Sequence, residues 1–179
     1  MAKREALREL QGRLAQRLLQ ARSEVRGRSW LAIECERQGL LVPLAMAGEI
    51  VPVGTLLPVP HTQPWFMGVA NLRGGLHGVV DLAAFLGLRQ PLARDAVREE
   101  ARLLAFNATV GAHCAVLVDR LAGLRSAEQL VAEPAEPGAA EEARPSFAGA
   151  AHFDGQGRRW QELDLAALAA HEQFLAIAA

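Results

Sequence analysis

Two segments of the chain resemble each other, and this internal similarity is the feature that most constrains the fold. GVANLRGGLHGVVDLAAFL begins at Gly68, and GAAHFDGQGRRWQELDLAALA begins at Gly149. Both run from a glycine through small apolar residues to a charged residue and a second glycine, and both then reach Asp-Leu-Ala-Ala. A β-hairpin followed by a short helix, occurring twice, predicts two related β subdomains.

Asp81 and Asp164 occupy the same place in the two copies. Each aspartate follows a strand-like run and precedes a short apolar segment that is typical of a helix. Aspartate is a preferred residue at this point because its carboxylate accepts hydrogen bonds from the first free N–H groups of a helix. We therefore predict that both residues are helix caps rather than a catalytic carboxylate pair.

The rest of the chain beyond residue 30 is also predominantly β in pattern. WLAIECE alternates from Trp30, with Leu31, Ile33 and Cys35 on one face, and LLVPL and MAGEIVPV follow as further short strands. RLLAFNA with HCAVLVD, and SFAGAAHF with RRWQELDL, are interpreted as hairpins. RLAGLRSAEQL is interpreted as a loop with at most one helical turn, residues 131–145 as a solvated loop, and LAALAAHEQFLAI as a closing helix.

The first 29 residues differ from the rest in charge and in periodicity. They carry eight basic and three acidic residues, so the segment has a net charge of +5 and the remainder −6. Residues 3–26 predict an amphipathic helix, because apolar side chains recur at steps of three and four. This helix either packs on its own domain, which is the commoner arrangement, or docks on a partner. Its apolar positions are Leu7, Leu10, Leu14, Leu18, Ala21 and Val25.

Charge and hydropathy narrow the class of protein. The net charge of −1 argues against nucleic acid as a partner. The N-terminus has no apolar signal region, and no window approaches the ~18 apolar residues of a membrane span. Cys35 and Cys114 lie in separate apolar runs, as expected of free thiols in a reducing compartment. We therefore expect a cytoplasmic protein without direct membrane insertion.

The sequence offers no recognisable catalytic or metal-binding pattern. GVANLRGG is neither GxGxxG nor a phosphate-binding loop, and a strand rather than a long helix follows it. No two histidines stand four residues apart on a helix, and no GxSxG is present. His113 and Cys114 are neighbours on a strand and point to opposite faces. We therefore expect no enzyme activity, no cofactor and no metal site.

Residues 64–88, PWFMGVANLRGGLHGVVDLAAFLGL, resemble the shared core of the CheW family of chemotaxis coupling proteins. WLAIECERQGLLVPLAMAGEIV, CAVLVDRLAGLRSAEQL and FAGAAHFDGQGRRWQELDLAAL are similar to further segments of that family, so the resemblance covers about 30–178. The N-terminal helix and the closing segment look most like the PilI-type branch of pilus chemosensory systems. His77-Gly78 and Pro43 depart from the usual family pattern.

The resemblance implies a mainly β fold of two side-by-side, five-stranded SH3-like β-barrels with short helices, preceded by an N-terminal α-helix. The implied organisation is a basic helix at 1–29 and a CheW-like domain at 30–179. The first barrel core would span about 40–105 and the second about 106–160, with the termini crossing between them.

The resemblance also implies a role. Such proteins are non-catalytic adaptors that bridge a methyl-accepting chemoreceptor and a CheA-type histidine kinase in receptor arrays, here in a system governing twitching motility. The alternative function is a scaffold or localisation protein that uses its basic N-terminal helix at the membrane or cell pole.

The implied receptor or kinase interface centres on Arg73, which matches the family's functional arginine, and on Glu49, which matches a nearby acidic residue. A Glu49–Arg73 ion pair is therefore expected, worth at most ~1 kcal/mol if exposed. The remaining implied interface residues are Gly68, Val69, Asn71, Leu72, Gly74 and Val79.

Overall fold

The computed structural model describes residues 28–93, 96–134 and 144–179. The predicted helix at 3–26 and most of the predicted loop at 131–145 lie outside these residues. The strands are β1 Ser29–Cys35, β2 Gln38–Pro43, β3 Ala47–Pro52, β4 Phe66–Leu72, β5 Gly75–Asp81, β6 Arg102–Phe106, β7 Cys114–Val118, β8 Arg120–Ser126, β9 Leu130–Ala132, β10 Ala148–Asp154 and β11 Arg159–Leu163. The α-helices are α1 Leu82–Phe85, α2 Leu165–Ala169 and α3 Glu172–Leu175.

The described strands form two sheets, so the fold is mainly β as predicted. One sheet has six strands in the order β8-β1-β2-β11-β10-β9, and the other has five in the order β3-β6-β7-β5-β4. The described helices are short, and none of them is long and apolar enough to cross a membrane.

The internal similarity found in the sequence reappears in the strand topology. Hairpin β4–β5 places β5 parallel to β7, and hairpin β10–β11 places β11 parallel to β2. In each sheet the strand that receives this parallel contact belongs to another antiparallel hairpin, β6–β7 or β1–β2. The order β3-β6-β7-β5-β4 therefore corresponds to β8-β1-β2-β11-β10, and β9 is added at one edge. The fold consists of two related β halves, and the description of each as an SH3-like barrel stays a prediction.

The two sheets share one apolar core, which we call the central core. It takes Leu31 and Val42 from the six-stranded sheet and Val80, Leu104 and Val116 from the five-stranded sheet, all at most 5% exposed. Burial of this apolar area is the main favourable contribution to folding.

Each sheet also carries a separate apolar cluster on its other face. Met67, Val79 and Leu117 pack together on the five-stranded sheet, and Trp30 and Trp160 pack on the six-stranded sheet. The period-two alternation of β1 is therefore real, but both of its faces are buried rather than one.

Asp81 and Asp164 stand immediately before α1 and α2. Asp81 Oδ1 accepts a hydrogen bond from Ala84 N at 3.2 Å, and Asp164 Oδ1 accepts from Ala166 N and Ala167 N at 2.8 and 2.9 Å. Both aspartates are thus N-caps, and the two hairpin-to-helix junctions have the same chemistry.

Three features differ from the sequence interpretation. RLAGLRS, interpreted as a loop, is strand β8, because it pairs along β1 although Gly123 adopts a φ of 92° there. The closing helix is divided into α2 and α3, because α2 ends at Ala170 before Phe174 turns into the core. The sheets also do not divide at residue 105, since β7 pairs with β5 and β6 whereas β2 lies in the six-stranded sheet.

Candidate partner-binding site

Hairpin β4–β5 ends in a two-residue turn that projects Arg73. Leu72 pairs with Gly75, and the intervening Arg73 and Gly74 have φ values of 48° and 87°. Two positive φ values define a type I′ turn, whose twist matches that of the flanking strands and which favours Asn-Gly. Gly74 N donates a hydrogen bond to Asn71 Oδ1 at 2.7 Å, which fixes the turn. The Arg73 side chain is left 82% exposed.

Arg73 forms an ion pair with Glu49, the pair that the family resemblance implied. Arg73 Nε lies 2.5 Å from Glu49 Oε1, and the glutamate side chain is 26% exposed. Glu49 lies on β3, at one edge of the five-stranded sheet, whereas the β4–β5 hairpin lies at the opposite edge. The pair therefore joins the two edges of the sheet. An exposed arginine adds little stability this way, so its main physical effect is to hold the hairpin tip in one orientation.

The structure separates the other implied interface residues by accessibility. Asn71 and Gly74 are exposed beside Arg73, and Val69 and Leu72 are half-buried. Val79 has no exposed surface and packs in the cluster behind the five-stranded sheet. Its expected place in an interface is therefore corrected, because a partner cannot contact a fully buried side chain.

Gly68 is likewise a structural residue of the hairpin. Its φ is 121°, and a Cβ added there would lie only 2.1 Å from the carbonyl oxygen of Leu57. This close approach allows Leu57 and Val69 to exchange two backbone hydrogen bonds of 2.8 Å. Gly68 thus permits the 57–69 contact rather than presenting a surface to a partner.

Three exposed apolar side chains, which we call the apolar rim, lie at the open edge of the central core. Leu44, Ile50 and Leu124 are 44%, 38% and 59% exposed. Ile50 pairs with Leu104 and Leu124 pairs with Leu31, and both partners belong to the central core. Because paired residues share a face of a sheet, the rim extends the core to the surface.

The rim and the ion pair share strand β3, on which Ile50 directly follows Glu49. Leu44 lies in the turn that carries the chain from β2 in one sheet to β3 in the other. Sequence reasoning missed these residues because they come from separate segments. A usable signal was that Leu44 continues the alternation of the buried Leu40 and Val42 beyond Pro43.

A buried ion network, also missed in the sequence, connects the two sheets. Arg89 Nη2 lies 2.6 Å from Asp81 Oδ1, and Arg89 Nη1 lies 3.0 Å from Asp119 Oδ1 and 3.5 Å from Glu36 Oε1. The Arg89 and Asp119 side chains are 10% exposed and that of Asp81 is 1% exposed. Glu36 N also donates to Asp119 Oδ2 at 2.6 Å.

Glu34 forms a second network on the six-stranded sheet. Its carboxylate lies 2.5 Å from Arg158 Nη1 and 2.7 Å from Arg120 Nη2. Burial alone raises the pKa of this carboxyl, but the hydrogen bonds and charges of Arg120 and Arg158 outweigh burial and leave the pKa lowered.

The two thiols have the character of structural cysteines. Burial raises the pKa of Cys35 to about 12, and burial also raises the pKa of Cys114. A thiol of such high pKa is a poor nucleophile and a poor metal ligand. The described part of the chain contains no group of three or more His, Cys, Asp and Glu side chains placed to hold a metal.

These features define a duplicated, two-sheet β domain with an exposed, ion-paired arginine at one hairpin tip. The model of the CheW-like domain family matches residues 29–173, and the chain belongs to that family. The chain is 27% identical over 153 residues to Protein PilI of Pseudomonas aeruginosa, a match that covers 84% of this chain and 81% of PilI.

A solved structure agrees with this family assignment at the level of the fold. The scaffolding protein TtCheW from Thermoanaerobacter tengcongensis superposes with a TM-score of 0.60 at 14% identity. The match covers 76% of this chain and 88% of the TtCheW chain. The match to the CheW-like domain model confirms the family resemblance found in the sequence.

Proposed function

We propose that this protein is a non-catalytic adaptor that couples a methyl-accepting chemoreceptor to a CheA-type histidine kinase. The observation that carries the proposal is the exposed Arg73 hairpin tip, held by Glu49 in a CheW-like domain whose strand β3 also carries the exposed Ile50. The similarity to PilI supports a pilus-type system governing twitching motility. The protein would then reside in the cytoplasm, at receptor arrays.

The receptor's helical tip would lie along the apolar rim, with Arg73 at its edge. Leu44, Ile50 and Leu124 offer apolar contacts of the kind that an amphipathic helix buries. Arg73 offers donors that Glu49 only partly uses, because the arginine keeps 82% of its side-chain surface exposed. A separate face would contact the SH3-like regulatory domain of the kinase.

Coupling requires that receptor state change the affinity or geometry of the kinase contact. The ion pair offers one route, since Glu49 and Arg73 join the two edges of the five-stranded sheet. A receptor that competes for Arg73 would release the hairpin tip from β3 and alter the shape of that sheet.

Arg73→Asn tests the receptor contact without disturbing the turn, because Asn-Gly is a preferred type I′ pair. We expect the Kd for a receptor signalling fragment to rise at least tenfold. This corresponds to a loss of more than ~1.4 kcal/mol of binding free energy, as is common for an arginine at an interface. Arg120→Gln is the matched control, because Arg120 is 62% exposed but pairs with Glu34 on the other sheet. Titration calorimetry that gives equal affinities for Arg73→Asn and wild type contradicts the receptor contact.

A scaffold or localisation protein is the second candidate, favoured by the net charge of +5 on residues 1–29. This function places the membrane or pole contact in the basic segment rather than in the hairpin. Deletion of residues 1–27 distinguishes the candidates. Retained receptor and kinase binding with lost polar localisation of a fluorescent fusion favours the scaffold, whereas retained localisation contradicts it.

A further inference from the structure

Two histidines lie side by side on neighbouring strands of the five-stranded sheet. β5 and β7 run parallel with Gly78 opposite Cys114, and His77 and His113 are the residues just before this pair. Gly78 N donates a hydrogen bond to the carbonyl of His113 at 3.0 Å, which fixes the register at this point. The centres of the two imidazole rings are 5.8 Å apart, with an angle of 74° between the ring planes. The backbone of the sheet therefore keeps the two imidazoles adjacent.

The His77 ring is oriented by a backbone carbonyl. Its Nδ1 lies 3.0 Å from the carbonyl oxygen of Gly75, and because a carbonyl only accepts, Nδ1 is the protonated nitrogen of this hydrogen bond. Nε2 of the neutral ring then carries a free lone pair. Metal-binding histidines commonly donate their other N–H to a backbone carbonyl or carboxylate in this way, which fixes the tautomer and the ring orientation.

The two imidazoles are also free of competing partners. His152, in contrast, lies 3.0 Å from Glu162 Oε1. In the part of the chain that the structure describes, neither His77 Nε2 nor the exposed His113 ring forms a hydrogen bond or an ion pair. An ion from solution can therefore reach both rings without first displacing a protein group.

We propose that His77 and His113 form a two-imidazole site for a divalent transition-metal ion such as Zn²⁺, Ni²⁺ or Cu²⁺, which imidazole nitrogens suit. A ring nitrogen binds Zn²⁺ at ~2.1 Å, which places the ion about 3.2 Å from the ring centre. Ring centres 5.8 Å apart are thus within the about 6.4 Å that one such ion can span. Water completes the coordination, because the described residues supply no group of three ligands. With fewer protein ligands than a structural or catalytic zinc site, this site exchanges its ion readily with solution.

The bound ion acts as a clip between β5 and β7. Its two ligands come from strands that meet only in the folded protein, so the ion binds the folded state and stabilises it by mass action. β5 also begins directly after the turn that carries Arg73, and His77 lies four residues beyond that arginine. Occupancy of the site therefore stiffens the base of the Arg73 hairpin.

Calorimetric titration with Zn²⁺ tests the site on the full-length chain without a polyhistidine tag. We expect His77→Asn and His113→Asn each to raise the Kd for Zn²⁺ at least tenfold. Because His113 is exposed, its variant should fold normally. His61→Asn is the matched control and should bind as wild type does, because His61 is exposed elsewhere and asparagine tolerates its φ of 56°. Equal Kd values for wild type and either site variant overturn the proposal, as does a wild type that binds no Zn²⁺.

Electron paramagnetic resonance of bound Cu²⁺ identifies the ligands directly. The wild-type spectrum should show coupling to two imidazole nitrogens, and each site variant should show one fewer. A nitrogen count that is the same in wild type and both variants places the ion elsewhere and overturns the assignment. Both measurements are made without receptor or kinase, so their outcome is independent of the proposed function.

Discussion

Replacement of Arg89 by methionine tests whether the buried ion network holds the two β halves together. Arg89 bonds Asp81 at the end of β5, Asp119 between β7 and β8, and Glu36 in the β1–β2 loop. It therefore connects both sheets through one side chain. Methionine has a similar length and keeps most of the apolar packing, so the substitution removes mainly the charge and its donors.

The burial of the two carboxylates determines how much stability the substitution should remove. Asp81 is 1% exposed and Asp119 is 10% exposed, so both carboxylates lose their cation while they remain buried. Removal of one partner of a buried pair typically costs about 3–5 kcal/mol. Arg89 Nε has no hydrogen-bond partner among the described residues, and its release offsets part of this loss. We therefore expect a loss near the lower end, about 3 kcal/mol, of the free energy of unfolding.

Urea unfolding of the Arg89→Met and Arg120→Met variants measures the difference. Arg120 is 62% exposed and its partner Glu34 retains Arg158, so the control should lose less than about 1 kcal/mol. Arg89→Lys should fall between these values, because one ammonium cannot reproduce the fork that reaches two carboxylates. A loss below about 1 kcal/mol for Arg89→Met would refute the argument that burial makes this network costly to break.

Three further predictions follow from single sites. Gly68→Ala should lower the free energy of unfolding by more than about 3 kcal/mol, because the added Cβ would lie 2.1 Å from Leu57 O. Gly74→Ala should lower it by only about 1–2 kcal/mol, because Gly74 has a φ of 87° but open space around it. Urea unfolding measures both values. Cys35, with a pKa of about 12, should react with a disulfide reagent at pH 8 only after unfolding, as absorbance of the released thiol will show. Because the pKa of Glu34 is lowered below its ordinary 4.5 on folding, its stabilisation is present above about pH 4.5 and is lost as pH falls through the folded pKa. Glu34→Gln should therefore reduce the stability difference between pH 6 and pH 3, and an unchanged difference would contradict the assignment.

The sequence could predict the elements that have local signals. The two hairpins after Gly68 and Gly149 have glycine at or beside their turns, and the aspartates that end them precede apolar helical turns. Strand β8 lacks such a signal, because none of its residues is fully buried and it contains a glycine with a positive φ. Its pairing with β1, nearly a hundred residues away, decides its conformation, and no local propensity reports such a contact.

The residues of the candidate site were likewise only partly predictable from the sequence. Arg73 could be singled out only through the family resemblance, since an exposed arginine in a turn has no distinctive local pattern. The apolar rim required the fold, because only the pairing of β8 with β1 and of β3 with β6 shows that Leu124 and Ile50 share a sheet face with central-core residues. Arg89 has no distinctive local sequence pattern, and its burial depends on the meeting of Asp81, Asp119 and Glu36 from separate segments.

The two related hairpins differ at their tips, and the difference lies in how far the polar side chains are engaged within the fold. At the second tip, Asp154 accepts hydrogen bonds from Gln156 N, Arg158 N and Trp160 Nε1 at 2.9, 3.0 and 2.9 Å. The Trp160 bond contributes most to lowering the pKa of Asp154.

Arg158 at the same tip stacks 4.5 Å from the Trp160 ring and binds Glu34. The polar groups of the second tip are thus engaged within the fold. Arg73 at the first tip instead forms an ion pair with Glu49 and keeps 82% of its side chain exposed. Arg158→Gln should therefore lower the free energy of unfolding and leave receptor affinity unchanged. Under the proposed function, Arg73→Asn should weaken receptor binding and leave the free energy of unfolding nearly unchanged, because the Arg73 side chain is 82% exposed.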